Sequence, residues 1–294
     1  MKLTIEVPKG FDYRRTVLSH GWRELLPFEF DEVNWTIRCV FDVGLAQPVS
    51  GVVSWGKGAI QINLSGRALS NTAAAKVKAQ VRHIMRLDDD LTGFHAAMAG
   101  DADFSWIQTQ GAGRMLRSPT VWEDLVKTIC TTNCSWALTE KMVTGLVNNL
   151  GIAAADGRRT FPTPEAMAAQ SEVFYRDVIR AGYRSPYFKE LAQRVLAGEI
   201  KVESWLTSDL TTPELQKEMK RVKGVGDYAA ENLLKLVGRY DVLALDSFVR
   251  GKFIRTRNQG RKCKDKKIEK YYARFGEWRG LALWCDMTRD WIDD

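Results

Sequence analysis

Histidine is nearly missing from this chain. Of 294 residues only three are histidine, and His20, His83 and His95 are scattered without zinc-ligand spacing or a neighbouring nucleophile pattern. Zinc chemistry and His-activated nucleophiles are therefore excluded as readings. Cysteine is scarce too: Cys39, Cys130, Cys134, Cys263 and Cys285 make five, an odd number that fits reduced thiols and the expectation of a cytoplasmic, if bacterial nucleoid-associated, protein. Cys130 and Cys134 fall on one helix face, but no third ligand stands near them, so packing explains them better than a metal. No apolar run is long enough for a membrane span, and no linker, low-complexity tract or internal repeat interrupts the text.

What is present is a foldable, basic chain. Hydrophobic residues make up 45% of it and the formal net charge is +7, with a pI near 9.1. The excess is concentrated: between Glu214 and Arg274 there are 17 Lys and Arg against 8 Asp and Glu, a local net of +9. A basic surface of this kind suits a polyanion, with a solvated lysine-rich loop over 257–267 as the plainer alternative.

Up to about Leu87 short alternating runs read as strands (2–7, 34–43, 48–55 and 59–64) followed by a helix over 72–86. Beyond Asp88 the period becomes helical, over 121–150, 164–170, 185–197 and 266–275. The expected class is α+β: an antiparallel sheet with a helix over 1–112, then an all-α part in two pieces over 113–294, with the active cleft expected between those pieces.

The densest signal lies near the C-terminal third. Helix formers over 214–221 lead into Lys223-Gly224-Val225-Gly226, and the helical pattern resumes from Asp227 to Val237. Two glycines in a hairpin between helices allow tight turning and let main-chain N–H groups approach a phosphate oxygen, assisted by the dipole of the second helix. Lys220, Arg221 and Lys223 add cations. Twenty-two residues after Gly224, an apolar run Val242-Leu243-Ala244-Leu245 ends in Asp246 at the predicted start of another helix. Locally Asp246 reads as an N-cap, a role that does not exclude catalysis.

The segments VKGVGDYAAENL and LALDSFVR together resemble the hairpin and essential aspartate of the helix-hairpin-helix superfamily of DNA glycosylases. The resemblance extends over almost the whole chain. Residues 61–65, Phe161-Pro162-Thr163-Pro164 and Trp278-Arg279 are similar to bacterial 3-methyladenine DNA glycosylase II; Met115-Leu116-Arg117, Ile129-Cys130-Thr131-Thr132-Asn133 and Gly182-Tyr183-Arg184 are similar to 8-oxoguanine glycosylases. The resemblance implies a base-excision repair enzyme acting as a monomer on damaged duplex DNA. It implies Asp246 as the catalytic carboxylate; Lys223, Gly224, Val225, Gly226 and Arg250 on the DNA backbone; and Asn133 and Tyr183 entering the base stack or touching the orphaned base. Main-chain carbonyls of Lys220, Val222 and Val225 would hold K+ or Na+, with no other cofactor required. The four-cysteine iron–sulfur cluster of endonuclease III-type relatives is not expected, because only Cys263 and Cys285 follow Asp246.

Two departures bear on the reaction. Oxidised-guanine enzymes carry a Schiff-base lysine two residues after the last hairpin glycine, where this chain has Tyr228, and a phenol cannot form that imine. They also carry a glutamine on the C-terminal helix where this chain has Gly280. The expectation is thus a monofunctional glycosylase for a damaged, alkylated purine held by Tyr228, Trp278 and Trp284, since an electron-poor base stacks well on indole. An oxidised-purine glycosylase/lyase and a non-catalytic damage-binding module remain as alternatives.

Overall fold

The computed structural model describes residues 1–66 and 68–292, and they divide into two compact units. The first comprises residues 1–9, 20–88 and 116–204; the second comprises 10–19, 89–115 and 205–294. This differs from the sequential cut at 112/113 expected above. The sheet shares its unit with the helices over 116–204, and a short early segment, 10–19, belongs with the C-terminal helices. No helix among the described residues is long and apolar enough to cross a membrane.

In the first unit β1 (Lys2–Ile5), β2 (Glu29–Asp31), β3 (Thr36–Phe41), β4 (Val49–Gly56) and β5 (Ala59–Leu64) form one antiparallel sheet in the order β1-β5-β4-β3-β2. Four of these were legible as alternating runs; the three-residue β2 was too short to alternate. Helix α1 (Asn71–Ile84) starts at Ser70, whose side chain accepts the Ala73 N–H, and it buries Ala73, Ala74, Val77, Val81 and Ile84. That spacing of three and four residues makes one apolar stripe.

The helical run expected over 121–150 is two helices, α2 (Val121–Thr131) and α3 (Trp136–Leu150). Apolar periodicity continues across the break, but Thr132 is extended, Asn133 is left-handed with φ 47°, and Ser135 caps α3 by accepting the Leu138 N–H. Asparagine tolerates that conformation better than most residues, and serine at the next helix start offers the backbone an alternative to continuing. Helix α4 (Ser185–Leu196) follows the one-turn segment Gly182–Arg184.

Several ionisable groups in the core of this unit have close polar partners. Residues Val121 through Cys130 of α2 are buried. Glu203 receives the N–H groups of Val121 and Trp122, capping α2 from a distant segment. Lys127 Nζ pairs with Glu123 at 2.6 Å and lies 5.0 Å from the centre of the Phe28 ring. Asp124 Oδ1 accepts the indole N–H of Trp22 at 2.7 Å and the Ser118 N–H at 2.9 Å.

The second unit is all helix. Its core gathers Phe94, Phe104, Tyr240, Phe253, Tyr272 and Leu281. Helices α5 (Thr212–Met219), α6 (Asp227–Leu236), α7 (Ser247–Arg257) and α8 (Arg279–Met287) carry or adjoin most of the residues singled out above. The short helices Tyr13–Leu18, Thr92–Ala99, Trp106–Thr109 and Asp265–Tyr272 also belong to it.

Burial pushes the Asp124 carboxyl up to about 6, against its two hydrogen bonds, which act the other way. A carboxyl whose folded-state value lies above its unfolded one holds its proton better when folded. Its contribution to stability therefore falls as pH rises from about 4 to about 6 and stays low above that. Asp124→Asn keeps the Oδ1 acceptor and removes the charge. We expect this variant to exceed the parent in stability by about 1–3 kcal/mol near neutral pH and to match it near pH 4, as read by denaturant unfolding at both values.

Candidate active site

The hairpin is built as its glycines require. Gly224 sits at φ 90°, a conformation that favours glycine, and the Val225 N–H returns to the Val222 carbonyl at 3.0 Å. Gly226 is the N-cap of α6 and offers no side-chain cap. The first-turn N–H groups of α6 therefore point out of a helix N-terminus across an exposed glycine, whose missing Cβ would meet nothing within 4 Å. Of the nearby cations, Lys220 pairs with Asp227 at 2.6 Å and Arg221 with Glu218 at 2.9 Å. Lys223 is exposed and Val225 buried.

Asp246 is the N-cap of α7, with Oδ1 accepting the Val249 N–H at 2.6 Å. Its Oδ2 has no hydrogen-bond partner among the described residues, so one oxygen holds the helix start while the other faces the half-buried surroundings. The segment leading to it, 242–245, is neither helix nor strand, and within it Ala244 is left-handed at φ 53°. Alanine there costs on the order of 1 kcal/mol or more, and the conformation persists only if neighbours hold it. Glu231 of α6 does so, accepting the Ala244 N–H at 2.7 Å. Burial, the largest influence, raises the Glu231 carboxyl above its ordinary value; this hydrogen bond acts in the opposite direction.

The aromatic residues separate into different roles. Tyr228 lies half-buried in the first turn of α6. Trp278 stacks on Tyr240, ring centres 5.8 Å apart, and packs against Phe94 at 5.6 Å, a setting in the unit's core. Trp284 donates its indole N–H to the Ser19 carbonyl at 2.7 Å and lines a small surface recess. Arg15, Trp106, Arg114, Met115 and Ile292 also line it. Over the Trp284 ring, 4.5 Å from its centre, stands the Nζ of fully buried Lys235. Burial pulls the Lys235 amine down to about 8, while the charges of Asp246 and Glu231 push it back up. Sequence reasoning passed over Lys235, Glu231 and the recess: a lysine among helix formers reads as solvated, and the recess joins residues 15–19, 106–115 and 281–292, far apart in the chain.

Gly280 is fixed by packing. Its N–H donates to the Tyr240 carbonyl at 2.7 Å, and a Cβ there would lie 1.9 Å from the Val242 carbonyl oxygen. Arg250, expected on DNA, is held by Asp265 through two bonds of 2.8 and 2.9 Å.

In the other unit Asn133 and Tyr183 do come together. The Asn133 amide donates to the Tyr183 hydroxyl at 3.4 Å, and that hydroxyl lies 3.3 Å from Thr132 Oγ1. Tyr183 is half exposed. Buried Arg184 underlies both, with its guanidinium 4.5 Å from the Tyr183 ring centre and Nε donating to the Ile129 carbonyl and Thr132 Oγ1. An aromatic ring held edge-out by a cation beneath it is a surface that can take a stacking partner.

No family model matches the chain. An N-glycosylase/DNA lyase of Saccharomyces cerevisiae is 28% identical over 141 residues, which take in 46% of this chain and 36% of the yeast protein. The match thus spans about a third of that relative's length. Among solved structures, a 3-methyladenine DNA glycosylase from Archaeoglobus fulgidus aligns with a TM-score of 0.77 at 20% identity, covering 98% of each chain. The Clostridium acetobutylicum 8-oxoguanine glycosylase/lyase, in complex with duplex DNA containing cytosine opposite 8-oxoguanine, aligns at 0.74 and 17%, covering 99% of this chain and 97% of that one. The 3-methyladenine DNA glycosylase of Schizosaccharomyces pombe, in complex with abasic DNA, aligns at 0.54 and 19% over 68% of this chain and 97% of its own. With its sheet, its hairpin and its capped aspartate, this chain has the fold of the helix-hairpin-helix DNA glycosylases.

Proposed function

We propose that the chain is a DNA glycosylase of base excision repair that removes a damaged purine by hydrolysis and leaves the abasic strand intact. The observation that carries this reading is the division of labour at Asp246: Oδ1 caps α7 and Oδ2 remains for the reacting sugar. As the glycosidic bond lengthens, positive charge grows on the sugar ring, and a fixed carboxylate stabilises that charge and orients the attacking water. The same logic governs glycoside hydrolysis.

The hairpin supplies the grip. N–H groups at Gly224 and Gly226, with the N-terminal dipole of α6, receive a phosphate, and Lys223 adds charge. A K+ or Na+ ion held by the carbonyls of Lys220, Val222 and Val225 would add to the neutralisation. The donor set suits a hard monovalent ion, since the Val222 carbonyl uses one lone pair on the Val225 N–H and keeps another. Asn133 and Tyr183 take the place of the extruded nucleotide. The protein acts as a monomer, in the cytoplasm.

Tyr228 in place of the imine-forming lysine argues for simple hydrolysis. The lyase reading is favoured by one observation, a second lysine: the Lys235 amine, near Asp246 and lowered by burial. The tryptophans raise an alkylated purine as substrate; the charges around Trp284 restrict which purines that class can include.

Asp246→Asn is expected to lower base release at least a thousandfold while leaving affinity for an abasic-site duplex unchanged or improved; retained turnover would make Asp246 a cap alone and the protein a binding module. Gly224→Ala should weaken duplex binding about tenfold in a fluorescence titration, because the left-handed turn is strained for a residue with a Cβ. Borohydride should trap no covalent DNA complex, and nicks should appear only after alkali. Trapping that vanishes in Lys235→Met would establish the lyase.

A further inference from the structure

The lining of the recess beside Trp284 carries charge of one sign. Arg15 and Arg114 line the recess, and among the described residues no carboxylate does. The two tryptophans of the recess already face cations: Lys235 stands over Trp284 at 4.5 Å, while Arg15 and Arg289 stand over Trp106 at 5.2 and 4.9 Å. Trp284 links the recess to Lys235, and Lys235 in turn feels the charge of Asp246.

Resting on the glycosylase reading above, we propose that Lys235 sets the charge of the base this site accepts: its buried ammonium, held over Trp284, disfavours purines with a fixed positive charge and favours uncharged ones. An indole whose electron-rich face is occupied by an ammonium has less attraction left for a second cation. Two unit charges about 8 Å apart at an effective dielectric near 20 repel enough to change a rate ratio about thirtyfold. Lys235 is thus a specificity-determining residue that acts through Trp284, not a group that touches the sugar.

The ammonium persists at neutral pH because the groups facing it oppose its desolvation: Glu231 on α6 and Asp246 at the start of α7. From α8 the neighbour is Trp284, which does not titrate.

The test compares single-turnover release of 3-methyladenine, cationic in DNA, with release of ethenoadenine, which is uncharged, by the whole protein and by Lys235→Met and Lys235→Arg. The parent should favour ethenoadenine. Lys235→Met should shift the release ratio at least tenfold toward 3-methyladenine, and Lys235→Arg should restore it. A purely structural role would lower both rates together and leave the ratio in place. The parent itself provides a second reading: raising the pH from about 7 to about 9.5 removes the Lys235 proton, so the same ratio should move toward 3-methyladenine. A ratio indifferent to Lys235→Met, or to pH, overturns the proposal while leaving the glycosylase reading intact. Release of neither base, nor of any other damaged purine, overturns both.

Discussion

The Glu231 carboxylate accepting the Ala244 N–H at 2.7 Å is the bond on which the proposed chemistry depends. Ala244 is in a conformation that alanine does not choose, and two residues later Asp246 begins α7. Relaxing Ala244 would rotate the chain entering α7 and carry Asp246 with it, since the backbone has only two soft angles per residue. Glu231 lies on α6, the helix that opens at Gly226 and presents Lys235 one turn further along. One ten-residue rod, about 15 Å long, therefore fixes three things together: the N–H groups at the hairpin, the bend before Asp246, and the cation over Trp284.

The same economy governs charge. Much of the basic excess between Glu214 and Arg274 is engaged within the unit: Arg250 with Asp265, Arg257 with Asp286, Arg274 with Asp101, Lys220 with Asp227. Exposed members of these pairs contribute little stability individually, but Arg257 and Arg274 also lie over the aromatic cluster of Phe104, Tyr271 and Phe275, the Arg274 guanidinium 4.4–5.3 Å from the three ring centres. The exposed stretch of Arg261, Lys262, Lys264 and Lys266 is among the positive charge that can face a polyanion.

Local patterns were legible in the sequence where local physics decides. Alternation marks β3, β4 and β5; Gly224 and Gly226 mark the hairpin; Asp246 reads as an N-cap and is one. Long-range electrostatics was not legible. Nothing near Lys235 in sequence says that it is buried, nothing near Arg250 says that Asp265 will claim it, and Arg184 gives no sign of supporting Tyr183 and Asn133 across some fifty residues. The break between α2 and α3 was hidden because apolar residues keep their period across it, and Asn133 with Ser135 outweighs that period only through capping and a left-handed turn. Ala244 is the extreme case, a residue whose type argues against the conformation it holds.

Gly280 ties the shape of the proposed base site to the position of Asp246. Its N–H and its bare Cα face the carbonyls of Tyr240 and Val242, with no room for even a methyl group. A polar side chain reaching from this turn of α8 toward a base edge would first have to displace residues 240–242, and through them Ala244 and Asp246. In the proposed enzyme, recognition and catalysis are thereby joined in mutational terms: a side chain at this position would disturb the segment leading to Asp246. Any descendant that reads bases from here must first acquire compensating changes in the 240–245 segment, so the order in which mutations arise, and not only their sum, limits what this site can become.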